Sequence, residues 1–280
     1  MNIAVVEKDW LMEEAARLAA LPTFPAAVRE YALGLAHFRR SPRFVNKLIS
    51  HDSRWRVVGY LLYLHAEGGA TYGRLLDLCT RRQEVSPRVL KTILALLQFT
   101  GFVHVRRCSA DRRLKFYAPT ERMDAFVRQW LGYGVNALDI LEPEMQRARM
   151  LREDPDFIGR FLASGGRDYL TSTPPADRMP DFIAFFGSRE GAAAATLAVM
   201  LADFDRQPAP SRAEIARTFG LSKTQVANVL AAGEAIGYFA PDEAGVPAAT
   251  PHLRDTFGAW ISIELAFYAR NMRPAPVCRA

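Results

Sequence analysis

The chain has 280 residues, half of them apolar, and a net charge of +6; such a chain buries real hydrophobic cores, has room for two domains and is not disordered. The charge is uneven, with 21 Lys/Arg against 13 Asp/Glu in residues 1–140 and 15 against 17 in the remainder. A basic half joined to a slightly acidic one points to a single part that meets an anionic partner, nucleic acid or an acidic membrane face, and argues against a chain that is cationic throughout.

The first ten residues, "MNIAVVEKDW", carry acids where a secretory signal needs cations, and no apolar run reaches the roughly 18–20 residues of a membrane span. Cys79, Cys108 and Cys278 are odd in number and far apart, which fits a reduced compartment and makes the cytoplasm the expected location. Residues 1–50 hold two helical patterns, "EKDWLMEEAARLAAL" and "AAVREYALGLAHF", broken by Pro22 and Pro25; we assign them to dimerisation or packing. Residues 51–133 form a first unit: an apolar helix over Arg54–His65, a short amphipathic helix over Thr71–Arg82, a helix within Val85–Val103, an extended pair, and a helix over Glu121–Leu131. Residues 134–188 connect, continuing the helices as far as "DFIGRFLAS". The stretch "GGRDYLTSTPPADRMPD" has the glycine and proline density of a linker, so the domain boundary is expected there. Residues 189–273 form a second unit, with helices over Gly191–Phe204, Ser211–Phe219 and Leu253–Ala269, and "AAAATLAVMLA" reading as a buried helix.

The two units are related. "VSPRVLKTILALLQFTGFV" lies over "LSKTQVANVLAAGEAIGYF" without a gap; both open on an apolar residue and Ser and close on Gly-aromatic-apolar. Leu90, Ile93, Leu94 and Leu97 in one, and Val226, Val229 and Leu230 in the other, recur at helical spacing. Ser211 with Glu214 and Ser222 with Gln225 have the form of capping boxes, Ser86 precedes a proline suited to the first helical position, and Gly101 and Gly237 stand where a helix must turn into a strand. The order helix, short helix, turn, capped helix, two strands, helix is that of a winged helix-turn-helix, occurring twice. The fold class expected is mostly α with small β-hairpin wings, a tandem winged helix-turn-helix; two unrelated helical hairpins sharing a capped start by chance is the alternative.

"VRRCSADRRLKFYAPTE" packs Arg106, Arg107, Arg112, Arg113 and Lys115 into ten residues with only Asp111 against them. On a hairpin after a recognition helix, such cations neutralise phosphates or enter the minor groove; a solvated hairpin is the plain alternative. Together with the preceding "LLQFTGFVHVRR", this stretch resembles the wing and exit helix of MarR-type transcriptional regulators over about Arg54–Leu131, matching at Gly101, Phe102, Val103, Arg106, Asp111, Arg113 and Thr120 and departing at Ala118-Pro119. The resemblance implies that Arg113 and Arg112 enter the minor groove and that Ser86, Arg88, Lys91 and Thr92 face the major groove. Arg74, Arg81 and Arg82 lie on or just after the helix that crosses the backbone, and Arg88 suits either a guanine or a phosphate. The second hairpin has Asp242 and Glu243 and no cation, yet Ser222, Lys223, Thr224, Gln225 and Asn228 suit base edges; a second DNA reader and a copy converted to protein binding both remain open.

No Gly-rich phosphate loop, nucleophile with a base, or His/Cys/carboxylate cluster at ligand spacing is visible, so neither enzymatic chemistry nor a metal or other cofactor is expected. Cys108 beside Arg107 suits an oxidant sensor or a bystander thiol. Trp10, Phe24, Tyr31, Phe126, Trp130 and Tyr133 either line a small-molecule effector pocket, which nothing else in the sequence supports, or pack between helices. The function expected is a sequence-specific double-stranded DNA-binding transcriptional regulator, cytoplasmic and nucleoid-associated. It would be a homodimer through its N-terminal and post-wing helices, or a monomer whose two copies imitate one. Protein-interaction modules of the chromosome-condensation type and winged-helix replication initiators are the alternatives.

Overall fold

The computed structural model describes residues 9–40, 51–107, 115–243 and 245–272. Two N-terminal helices, α1 (Trp10–Ala19) and α2 (Phe24–Arg39), come first. Pro25 sits in the first turn of α2, where its missing amide hydrogen leaves nothing unpaired.

The first unit runs α3 (Asp52–Ala66), β1 (Ala70–Thr71), α4 (Tyr72–Arg81), α5 (Pro87–Phe99), β2 (Val103–Arg107), β3 (Lys115–Pro119) and α6 (Glu121–Leu141). Its sheet is antiparallel in the order β1-β3-β2, with Val105 opposite Tyr117 and Arg107 opposite Lys115. Three short helices follow: α7 (Arg147–Glu153), α8 (Phe157–Thr171) and α9 (Pro180–Phe186). The second unit runs α10 (Ala192–Phe204), α11 (Arg212–Phe219), α12 (Lys223–Ala235), β4 (Phe239–Pro241), β5 (Pro247–Ala249) and α13 (Pro251–Asn271), with β4 and β5 paired antiparallel. Over the described residues the protein is thus mostly helical, with two small antiparallel sheets.

The two units turn on the same hydrogen bonds. Gly101 and Gly237 have φ of 72° and 76°, a left-handed conformation that costs a side-chain-bearing residue free energy. The amide after each reaches back into its helix, Phe102 N to Leu97 O at 2.9 Å and Tyr238 N to Gly233 O at 2.8 Å. Thr120 Oγ1 then donates to Gly101 O at 2.7 Å and accepts from Met123 N at 3.4 Å. Thr250 Oγ1 donates to Gly237 O at 2.6 Å and accepts from Leu253 N at 3.2 Å. One hydroxyl in each unit therefore ties the end of the third helix to the start of the last. The packing is compensated as well. Where the first unit has Leu97 and Val103, the second has Gly233 and Phe239, and a Cβ built on Gly233 would lie 2.3 Å from the Phe239 ring. Small-for-large at one position is offset by large-for-small at its neighbour, which conserves core volume.

The caps form as expected. Ser211 and Glu214, and Ser222 and Gln225, make both bonds of the capping box, and Ser86 Oγ accepts from Val89 N at 3.3 Å. Leu90, Ile93, Leu94 and Leu97 are buried on α5, and Val226, Val229, Leu230 and Gly233 on α12. Each fully buried Leu of this set contributes about 2 kcal/mol.

Two expectations change. The glycine-rich stretch with a linker's composition is helix as far as Thr171, because α8 runs straight through Gly165 and Gly166. A Cβ on Gly166 would come within 2.1 Å of the Tyr63 side chain, so glycine here lets α8 lie close against α3. The post-wing helix α6 continues ten residues beyond its expected end at Leu131, and its added part is buried against the chain itself. α2 packs on α6, α1 packs on α13, and α6 and α13 meet at Gly134 and Tyr268. One face of each of these helices is thus buried within the single chain. A continuous apolar core spans both units and the helices between them.

Candidate functional site

Helix α5 begins with a proline at its first position and a serine cap, so its first turn is fixed from both sides. With Leu90, Ile93, Leu94 and Leu97 turned inward, the opposite stripe is exposed: Arg88, Lys91, Thr92, Ala95 and Phe99, spaced for one face of a helix. Among the described residues the Arg88 guanidinium has no hydrogen-bond or ion-pair partner. Lys91 Nζ lies 5.8 Å from the centre of the Tyr72 ring on α4, and Thr92 Oγ1 donates to Arg88 O at 3.0 Å.

Strand β2 packs against α5 and carries the next cations. His104 and Arg106 share one face of the strand, and Arg106 Nε donates to His104 Nε2 at 2.9 Å. Arg107 and Lys115 are exposed and directly opposite across the ladder. Like charges so placed repel by a few tenths of a kcal/mol or more, and α5, β2 and β3 together contain no Asp or Glu to relieve them. The field reaches the end of α3. Burial holds the His65 imidazole below its ordinary value, against the pull of Asp124, and the Arg106 and His104 charges push it the same way.

Other sequence candidates divide. Arg74 is exposed but anchored, donating to Gly69 O at 2.7 Å, and Arg81 is exposed and paired with Asp77. Arg82 turns inward, donating to the Tyr169 and Leu170 carbonyls at 3.0 and 2.8 Å; it satisfies the last turn of α8 and does not stand on the cationic face. Ser86 is spent on its cap. In the second unit, Ser222, Lys223, Thr224 and Asn228 are exposed at the start of α12, while Gln225 Oε1 is held by Ser222 N at 2.8 Å. The short β4–β5 turn is closed by Asp242 Oδ1 accepting from Val246 N at 2.8 Å, the side-chain turn bond expected of Asp111 in the first hairpin. Asp111, Arg112, Arg113 and Cys108 lie outside the described residues.

The sequence did not single out two features of this region. Arg122 donates to Thr100 O at 2.7 Å and stacks 4.9 Å from the centre of Phe102, clamping α6 to the end of α5. Phe99 is 91% exposed at the end of the cationic stripe; in "LLQFTGF" it reads as one more member of an apolar run. Of the aromatics proposed for a pocket, Tyr31 and Trp130 line a central cavity. Phe126 packs among Phe38, Trp55 and Phe102, Tyr133 packs on Phe38, Trp10 lies 3.9 Å beneath the Arg270 guanidinium, and Phe24 rests against the core.

Among the described residues no helix is long and apolar enough to cross a membrane, and no three His, Cys, Asp or Glu side chains come together as a metal site requires. Comparison of the chain with protein-family models, with curated proteins and with solved structures found no match.

Proposed function

We propose that the chain is a sequence-specific, double-stranded DNA-binding transcriptional regulator built from two winged helix-turn-helix units. The observation that carries this reading is the cationic face of the first unit: Arg88, Lys91, Arg106, Arg107 and Lys115 stand exposed on α5 and its adjoining hairpin, whose three elements contain no acidic residue. A capped helix whose open side carries Arg, Lys and Thr fits the major groove, and a basic hairpin beside it fits the flanking phosphates. The second unit has the same framework with an acidic turn, so its part in DNA contact falls to Lys223, Thr224 and Asn228. Because α1, α2, α6 and α13 cover one another within the chain, a single chain holds two units with fixed separation, and a monomer suffices to read two half-sites.

Fluorescence anisotropy with genomic duplex fragments at several salt concentrations tests the reading. Five phosphate-neutralising cations give a slope of log K against log salt of about −4 to −5. Arg88→Ala with Lys91→Ala is expected to flatten that slope by about two if both contact phosphate, or to change the preferred sequence if Arg88 reads a base. Binding that ignores these substitutions would refute the assignment of α5.

A protein-interaction module is favoured by one observation, the fully projecting Phe99 ring, since aromatic side chains anchor protein interfaces. Phe99→Ala leaves DNA affinity within about twofold on the first reading and abolishes partner capture on the second.

A further inference from the structure

Between the two units lies a cavity of about 230 Å³, walled by α2, α3, α6, α8, α9 and α13. Its lining is aromatic: Trp55 and Trp130 meet edge to face at 5.1 Å, Trp130 and Tyr268 at 5.8 Å, and Tyr31 and Tyr268 at 6.2 Å, with Trp260 beside them. A carboxyl, Glu264, and an indole N–H, Trp260, lie side by side in this lining. Among the described residues the Glu264 carboxyl has no ion-pair partner. The Trp260 indole N–H, 94% buried with its residue and one helical turn away, lies beside that carboxyl yet meets no acceptor at hydrogen-bond geometry. A buried polar group without a partner costs about 1–3 kcal/mol, so the Trp260 N–H beside a lone carboxyl marks a place prepared for something else.

The other charges of the lining are engaged with one another and with acids outside it. Arg56 binds Asp52 at 2.5 Å, Asp177 at 2.8 Å and Glu84 at 3.4 Å, and Arg39 faces the Asp52 charge. The environment of Glu264 is then two tyrosines, two tryptophans and a net negative group. An anion placed there meets a carboxylate and the negative faces of the rings. A plain hydrocarbon offers the carboxylate neither a donor nor a counter-charge. An ammonium gains a charge-assisted hydrogen bond from the carboxylate and attraction to the rings at once. An apolar cavity of about 150 Å³ holds a benzene ring, so the space here takes one ring and a short chain.

We propose that this cavity binds a small organic cation, an arylalkyl ammonium whose charge is held by Glu264 and whose ring lies among Tyr31, Trp130, Trp260 and Tyr268. The site is independent of the DNA-binding assignment. Its walls come from both units, so occupancy bears on how they sit against each other.

Phenethylammonium, phenethyl alcohol and phenylacetate, titrated into the full chain and followed by tryptophan fluorescence and calorimetry, test the proposal without DNA. Three of the chain's four tryptophans line the cavity. Saturable one-to-one binding of the amine is expected, at least about tenfold tighter than the alcohol, with the acid weakest. Glu264→Gln should remove that advantage and leave the alcohol within about twofold. Burial keeps the proton on the Glu264 carboxyl at low pH, among Asp52, Arg39, Arg56, Tyr31 and Tyr268 as the charged and titratable groups of the same lining, so the amine's affinity should rise between pH 5.5 and 8 in the native chain and stay level in the Gln variant. Absence of saturable amine binding, equal or tighter binding of the acid, or an amine affinity untouched by the substitution each overturns it.

Discussion

Glu264→Gln is expected to make the protein more stable at pH 8. Burial pushes the Glu264 carboxyl from its ordinary 4.5 up to about 7, helped by the Asp52 charge and opposed by the Trp260 N–H and the Arg56 charge. A carboxyl raised in this way holds its proton in the fold between pH 4.5 and 7 while the unfolded chain has released it. Native stability therefore declines as pH rises through that window and levels off above it. At about 1.4 kcal/mol per pH unit, keeping the group charged in the fold costs about 3 kcal/mol at pH 8. Glutamine has the same shape and no charge to desolvate, so the variant should gain about 2–3 kcal/mol at pH 8 and differ little at pH 5. Urea unfolding of both proteins at the two pH values measures it, and the difference between them cancels every other titrating group. A native chain and variant equally stable at pH 8 would refute the reasoning, by showing that the carboxyl is solvated in place.

Gly233→Leu alone should cost more than about 3 kcal/mol, since its side chain would overlap the Phe239 ring; adding Phe239→Val, which recreates the Leu97 and Val103 pair of the first unit, should restore at least half of the loss in thermal unfolding. Additive losses in the double variant would mean that the two units do not share a core plan. Ser222→Ala removes the Oγ that accepts from Gln225 N, leaving the bond from the residue-222 amide to Gln225 Oε1, and should lower stability by about 1 kcal/mol by urea unfolding, whereas Lys223→Ala next to it should change stability by less than about 0.5 kcal/mol. Gly166→Ala gains about 1 kcal/mol of helix propensity but drives a methyl into Tyr63, and a net loss in thermal stability is expected; a gain would show that α3 and α8 are not closely apposed.

What the sequence showed of this fold is what is decided locally. A serine and a glutamate three apart form their box whatever surrounds them, and a helix that must turn into a strand needs a left-handed residue at Gly101 and Gly237. The inward stripes of α5 and α12 follow from spacing alone. Long-range contacts were hidden. Gly165-Gly166 reads as a linker until Tyr63, about a hundred residues earlier, is placed against it. Arg82 looks like another surface cation until the α8 carbonyls arrive beneath it. The signal for Glu264 was present but unused: in "WISIELAFYAR" it is a lone carboxylate within a run of apolar residues, a pattern that exposes or buries the group depending on what packs on α13. The same holds for Arg147, 2% exposed and bound to Glu142 at 2.5 Å, which no local pattern places inside.

The mass of the protein bound to a duplex fragment selected from genomic DNA, measured by sedimentation at about 50 mM salt where phosphate contacts are strongest, bears most directly on the functional reading. One chain of 31.3 kDa per duplex is expected, with the complex dissociating as salt is raised. Free protein sedimenting apart from every fragment at that salt, or a complex that persists unchanged in high salt, would contradict it.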